Sequence, residues 1–251
     1  MSTFKKRYRS PEECAAASRH YRWLAQHLPI VRRPRLVSAD KTTLVFEHVN
    51  GRKVLPSDLA TVAEHLGHVH GIANAGPLAH LDLTAGSAGP ADAIFTRAYF
   101  PSRAETLLRR YRDGHIASRE SLRRLSLILE RTAQLPAAIY KDANCRNFIV
   151  TTEDTPFTID FDDLDPAPMG YDLAKLAVSL QMTYGALPAS ALTAALDRYN
   201  QASATHTRAA PISAEQFTDL LTLQAVLTAP YLGKHHYTHP IDTITTVLEP
   251  R

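Results

Sequence analysis

Between Ser10 and His27 the apolar residues recur at helical spacing, with Ala16, Tyr21, Leu24 and then Leu28 sharing one face. The segment starts with Ser10-Pro11-Glu12-Glu13: a candidate N-cap, a proline suited to the first turn, and a glutamate placed to complete a capping box. The shorter stretch before it, Ser2 to Tyr8, predicts a strand. After the helix, residues 35–38 and 42–48 are β-rich runs separated by Ala39-Asp40-Lys41, which predicts an antiparallel hairpin. From Ser57, a candidate cap, Leu59, Val62, Leu66, Val69 and Ile72 return to one helical face. Residues 76–92, rich in Gly, Pro, Ala and Asp, predict a loop. Helices are expected at 92–112 and 118–134, the second burying Leu122, Leu125, Ile128 and Leu129, and again at 171–184, 188–204 and 213–228.

One β signal interrupts this helical half. Asn147 to Thr152 and Thr155 to Phe161 flank the turn-like pair Glu153-Asp154 and predict a small hairpin. No internal repeat or low-complexity tract is present.

Composition narrows the class. The 251 residues are 45% hydrophobic and 21% charged, which excludes a disordered or collagen-like chain. Charges break every apolar stretch, so no membrane span is expected, and Ser10-Pro11-Glu12-Glu13 stands where a signal peptide would need its apolar region. Cys14 and Cys145 form neither a disulfide framework nor a metal motif, so the expected setting is a soluble, reducing, cytoplasmic one. Charge is unevenly spread. Residues 1–60 hold twelve Lys/Arg against five Asp/Glu, whereas residues 142–172 hold only Arg146 against eight acids. The split predicts an anionic partner near the start and cations near residue 160. Nucleic acid is not the expected partner, because the basic run is short and has no interleaved aromatic motif.

The chemistry gathers at the hairpin. Asp142 and Asn147 lie five residues apart just before its first strand, and Asp160 ends its second. A hairpin brings its outer ends together, so Asn147 and Asp160 should converge and offer hard oxygen ligands suited to Mg²⁺. Asp142 is placed to accept the proton of a hydroxyl attacking a phosphoryl group.

These residues resemble the catalytic core of the aminoglycoside phosphotransferase and choline kinase group, whose catalytic loop has the form His-Gly-Asp-x4-Asn followed by a strand and Ile-Asp-Trp/Phe-Asp. The resemblance runs in order over roughly residues 3–230. It implies an α+β, two-lobed protein-kinase-like fold, with a reduced N-lobe over 1–50 and a mainly helical C-lobe over 51–251. It also implies an ATP-dependent phosphotransferase acting on a hydroxyl of a small polar molecule, an antibiotic-like natural product or a metabolite. Asp142 would be the catalytic base and Asn147 and Asp160 the metal ligands, with Asp162 on the metal side and Asp163 and Asn144 toward the acceptor. Gly170-Tyr171-Asp172-Leu173-Ala174 resembles the family's Asp-Leu-Ala helix start, so Asp172 would brace the catalytic loop. Phe46 to Gly51 resembles the hinge between lobes, with Glu47 and Val49 meeting the nucleotide. Leu66-Gly67-His68-Val69-His70-Gly71 resembles the family's Leu-His helix end.

Some positions depart from the pattern. Tyr140-Lys141 replaces His-Gly, with Lys141 similar to the arginine of the protein-kinase His-Arg-Asp. No glycine precedes Gly51, so the Gly-rich strand pair that covers the phosphates is expected to be missing, or lost from the start of the sequence. Lys6 or Lys5 would then be the nucleotide lysine, with Glu13 its available acidic partner. The alternative function is a kinase-like binding or scaffold protein. His65, His68 and His70, expected near a helix end, and His235, His236 and His239 lack companions at ligand spacing. Both clusters are expected to be structural or surface histidines, the alternative for the second being a place at the border of the substrate cleft, which C-terminal helices shape in the resembled fold. Cys145 is expected to pack rather than react. The acidic floor suits a polar, amine-bearing acceptor.

Overall fold

A computed structural model describes residues 2–85, 94–95, 97–140 and 142–241. Lys141, residues 86–92 of the expected loop, and positions 93 and 96 of the expected third helix lie outside the described residues.

The chain begins with β1 (Thr3–Arg7), α1 (Pro11–His27), β2 (Leu36–Ala39) and β3 (Thr43–Glu47). β3 is central in an antiparallel sheet of order β1-β3-β2, with Lys6 opposite Leu44. Ser10 caps α1 by accepting from Glu13 N, and Glu13 reaches back to Arg9 N. The buried face of α1 carries Ala17, Tyr21 and Leu24, with Leu28 just beyond the helix; Ala17 takes the place expected of Ala16. Tyr21 packs between Phe46 of β3 and Phe161, at ring-centroid distances of 4.6 and 5.2 Å.

A short β4 (Arg52–Lys53) leads through a one-turn 3-10 helix at Pro56–Asp58 into α2 (Leu59–Ala75). The residue ahead of α2 is Asp58 rather than Ser57. Its carboxylate accepts from Leu55 N and pairs with both Nη atoms of Arg52. α2 extends past His70, so His65, His68 and His70 sit inside the helix instead of at its end.

The next elements are α3 (Tyr99–Arg112), which starts later than residue 92, and α4 (Arg119–Thr132). A two-stranded sheet follows from β5 (Ala137–Tyr140) and β8 (Asp165–Pro168), neither expected from the sequence pattern, with Tyr140 opposite Asp165. Between them β6 (Phe148–Val150) and β7 (Pro156–Thr158) form the expected hairpin and add β4 as a third strand. Its strands are shorter than expected. Asn147 lies in a one-turn 3-10 helix and Asp160 two residues past the end of β7.

α5 (Tyr171–Tyr184), α6 (Ala189–Ala204) and α7 (Ala214–Thr228) complete the described elements. α5 is buried from Tyr171 to Met182, as befits a helix apolar on nearly all sides. α2 crosses α6 closely because Gly67 has no side chain: a Cβ there would collide with the Tyr199 carbonyl oxygen. Alanine is normally worth about 1 kcal/mol more than glycine inside a helix. Gly67→Ala should nevertheless lower stability by about 1–3 kcal/mol, the usual cost of overpacking. Thermal melting checks the sign: a raised midpoint would show that the crossing relaxes freely.

Candidate active site

The loop after β5 rests on one face of α5. Ala143 N donates to Asp172 Oδ1, and Cys145 N donates to Ser179 Oγ at 2.8 Å. Lys175 Nζ lies 3.6 Å from Asp142 Oδ1. Residues 172, 175 and 179 are three and four apart, so a single helical stripe holds the loop. Asp172 is wholly buried, with Oδ2 3.7 Å from His70 Nε2, while His70 Nδ1 meets the hydroxyl of Tyr199. That same hydroxyl accepts from Gly170 N, fixing the turn into α5.

Hydrogen bonds tie the acidic positions into a line. Asn147 Nδ2 donates to Asp142 O at 2.9 Å, and Ile159 N donates to Asn147 O at 2.8 Å. The hairpin therefore brings Asn147 beside the residue that precedes Asp160. With its NH₂ engaged, the Asn147 amide has its oxygen as the remaining donor atom. Asp142 and Asp160 both adopt positive φ, 57° and 66°. Such a backbone costs a non-glycine residue about 1–3 kcal/mol and persists only where its surroundings impose it.

Lys6, rather than Lys5, reaches this line. Its ammonium lies 2.7 Å from Asp160 Oδ1 and 2.6 Å from Asp162 Oδ2, and Tyr8 donates its hydroxyl to Asp162 at 2.9 Å. Burial pulls the Lys6 pKa down, but its hydrogen bonds to the two carboxylates outweigh that and raise it. Glu13, the acidic partner considered from sequence, is engaged at the start of α1 instead. Among the described residues no three His, Cys, Asp or Glu side chains gather as a metal cluster. A divalent cation would need the Asn147 oxygen as well. The donor set fits one: Asp160 and Asp162 already converge on one cationic atom, and all three side chains offer hard oxygens.

Two cavities meet this line. One, of about 310 Å³, is walled by Phe4, Phe46, Val49, Ile149 and Ile159 and also lined by Glu47, Lys6 and Asp160. Gly51 allows the adjoining chain to lie against β6, since a Cβ there would meet Ile149 and Val150 O within about 2.5 Å. The other cavity, of about 530 Å³, is lined by Asp142, Asn144, Asp163, Tyr140 and Lys175. Asn144 is buried, its NH₂ bonded to the Tyr237 hydroxyl and its oxygen to Arg146. Asp163 pairs with Arg97, which also binds Asp165 at 3.0 Å.

A family model described as the phosphotransferase enzyme family (APH) matches residues 3–212. The chain belongs to that family. No curated protein matches it. Among solved structures, this phosphotransferase is similar to the choline kinase LicA from Streptococcus pneumoniae, with 15% identity, 91% of this chain and 76% of that one covered, and a TM-score of 0.57. It is also similar to the macrolide 2'-phosphotransferase MphH from Brachybacterium faecium, with 18% identity, coverage of 99% and 86%, and a TM-score of 0.56. The amicoumacin kinase hAmiN, solved with AMP-PNP, Ca²⁺ and Ami, gives 14%, 98% and 78%, and 0.58. The fold of this phosphotransferase is thus protein-kinase-like, α+β, with a reduced N-lobe.

Several groups take parts at the site that their local sequence does not reveal. Lys175 reads as one position of an apolar helix, yet its ammonium is buried beside Asp142. Burial lowers its pKa and Asp142 opposes that shift. Tyr140 donates to Asp142 Oδ1 at 3.2 Å, and burial, then the charge of Asp142, keeps its hydroxyl protonated. The histidines separate. His65 is buried and pushed down to about 3 chiefly by burial, hence neutral, and His68 pairs with His206. His235 lines the larger cavity. Cys145 packs beneath the loop against Ser179 and Thr183.

Replacing Lys6 should remove the ammonium that bridges Asp160 and Asp162. Lys6→Met is expected to raise the affinity of the nucleotide-free protein for Mn²⁺ by about tenfold, or about 1.4 kcal/mol. Titration of free Mn²⁺ by its paramagnetic resonance signal checks this, and unchanged affinity would separate the two carboxylates from any shared ion.

Proposed function

We propose that this protein transfers the γ-phosphoryl group of ATP to a hydroxyl of a small polar molecule, an antibiotic-like natural product or a metabolite. The observation that carries this reading is the hydrogen-bonded line from Asp142 through Asn147 to Ile159, which joins a largely apolar cavity on one side to a polar cavity on the other. Family membership and a neighbour solved with AMP-PNP support it.

In this reading the adenine enters the apolar cavity, against the backbone of Glu47 and Val49, and Lys6 turns toward the phosphates. Asn147, Asp160 and Asp162 would hold Mg²⁺, which when bound neutralises charge on the triphosphate. The acceptor lies beside Asp142, with Asn144 and Asp163 on its side. As its oxygen bonds to the γ-phosphorus, the bond from that phosphorus to the β–γ bridging oxygen breaks. ADP leaves with the electron pair, and the hydroxyl proton passes to Asp142. Tyr140 and Lys175 keep Asp142 oriented, and Asp172 holds the loop that carries it. Catalysis of this kind is mostly positioning and charge neutralisation, so few reactive side chains are required. The lobes in this reading divide at residue 50.

Asp142→Asn should lower kcat by about 10²–10⁴-fold with nucleotide affinity retained, if Asp142 is a general base. Loss below tenfold would leave it a positioning role only. Asp160→Ala should instead remove Mg·ATP binding, read by calorimetric titration. Retained binding and turnover in that variant would refute the assignment.

A further inference from the structure

We infer that the acceptor carries an anionic group, a carboxylate or a phosphate monoester, in addition to the hydroxyl that is phosphorylated. This rests on the reading of the larger cavity as the acceptor site. Although the sequence around residue 160 is acidic, that cavity is lined by six cationic side chains against four acidic ones. The acids are mostly spoken for. Asp163 and Asp165 pair with Arg97, and Asp142 faces Lys175.

Four guanidinium groups remain: Arg103, Arg109, Arg110 and Arg146. Among the described residues none has a carboxylate within ion-pair distance. Three are held by aromatic faces and uncharged oxygens instead. Arg103 lies over the rings of Tyr140 and Tyr171, at 5.0 and 5.5 Å. Arg110 lies over Tyr231 and donates to Leu227 O. Arg146 lies over Tyr237 and donates to His235 O and Asn144 Oδ1. The Nε atoms of Arg103 and Arg110 are shielded from solvent and have no hydrogen-bond partner.

Stacking on an aromatic face fixes a guanidinium without neutralising it, and its planar edge matches the paired oxygens of a carboxylate or phosphate. Charges sequestered in this way are unfavourable unless a counter-charge arrives. An anionic acceptor supplies one, whereas an amine-bearing acceptor would add to the surplus. The amine-bearing acceptor suggested by the acidic sequence is therefore the wrong sign for this cavity. Its aspartates are met by Arg97 and Lys175, and α3 adds further arginines whose proximity the linear sequence does not reveal.

The test titrates the full chain, saturated with Mg·AMP-PNP, with four hydroxyl compounds of similar size: glycerate, glycerol 2-phosphate, glycerol and ethanolamine. The expected result is that one or both anions bind at least tenfold more tightly than glycerol and ethanolamine, and which anion leads distinguishes carboxylate from phosphate. In Arg103→Gln the preference should fall below threefold. Arg109→Gln, at an exposed side chain, is the second variant should Arg103→Gln fold poorly, and it should also reduce the preference. Equal binding of all four, binding of none, tighter binding of ethanolamine, or a preference untouched by both variants overturns the inference. Nucleotide affinity is measured first. Protein that fails to bind Mg·AMP-PNP but still prefers the anions loses the kinase reading and keeps the anion site; protein that binds nucleotide and prefers ethanolamine does the reverse.

Discussion

α5 is buried along nearly its whole length, yet it carries Asp172, Lys175 and Ser179 on one stripe. A buried polar group without a partner costs about 1–3 kcal/mol, more when charged, so this stripe has to be met by something. Asp142, Ala143 and Cys145 meet it. The loop's conformation is thereby dictated by the needs of the helix beneath it. This offsets the backbone strain at Asp142 and makes the position of its carboxylate a property of the core rather than of a surface turn. The short hairpin of β6 and β7 then extends the same frame to Asn147 and Asp160.

The two sides of the line differ electrostatically. Beside the apolar cavity the Lys6 ammonium bridges two carboxylates, Asp160 and Asp162, a set of hard oxygens that suits a divalent cation. In the larger cavity arginines outnumber their carboxylate partners. Charge patterning along the chain foreshadows only the first half of this. The basic N-terminal segment does contribute Lys6 to the acidic segment around 160, but the arginines of α3 reach the opposite cavity through tertiary packing alone.

Legibility from sequence follows the same division between local and long-range causes. α1, the β2–β3 hairpin and the helices from α4 onward were readable because capping residues and periodic apolar positions act within a few residues. The order of Asp142, Asn147 and Asp160 was readable because hairpin geometry links sequence spacing to space. β5 and β8 were not, since each is a four-residue strand whose partner lies almost thirty positions away, and two of the four residues of β8 are prolines. Asp160 was expected within a strand and lies beyond one, because positive φ cannot be read from an aspartate code. Lys175 has no local signature as a site residue, and Tyr140 only that of a departure from the family pattern, for a related reason: the charge of Asp142 gives them their part.

The far end of α5 performs a second task. Met182 O accepts from Thr238 N and His239 N, anchoring the segment that carries Tyr237 to Asn144. Asp172 and Met182 are ten residues apart, about 15 Å along a helix axis. Two walls of one chamber, contributed by distant stretches of chain, are thus gauged against a single rigid rod. The spacing of those walls is set by helical pitch, a fixed length, and so does not depend on which side chains line them.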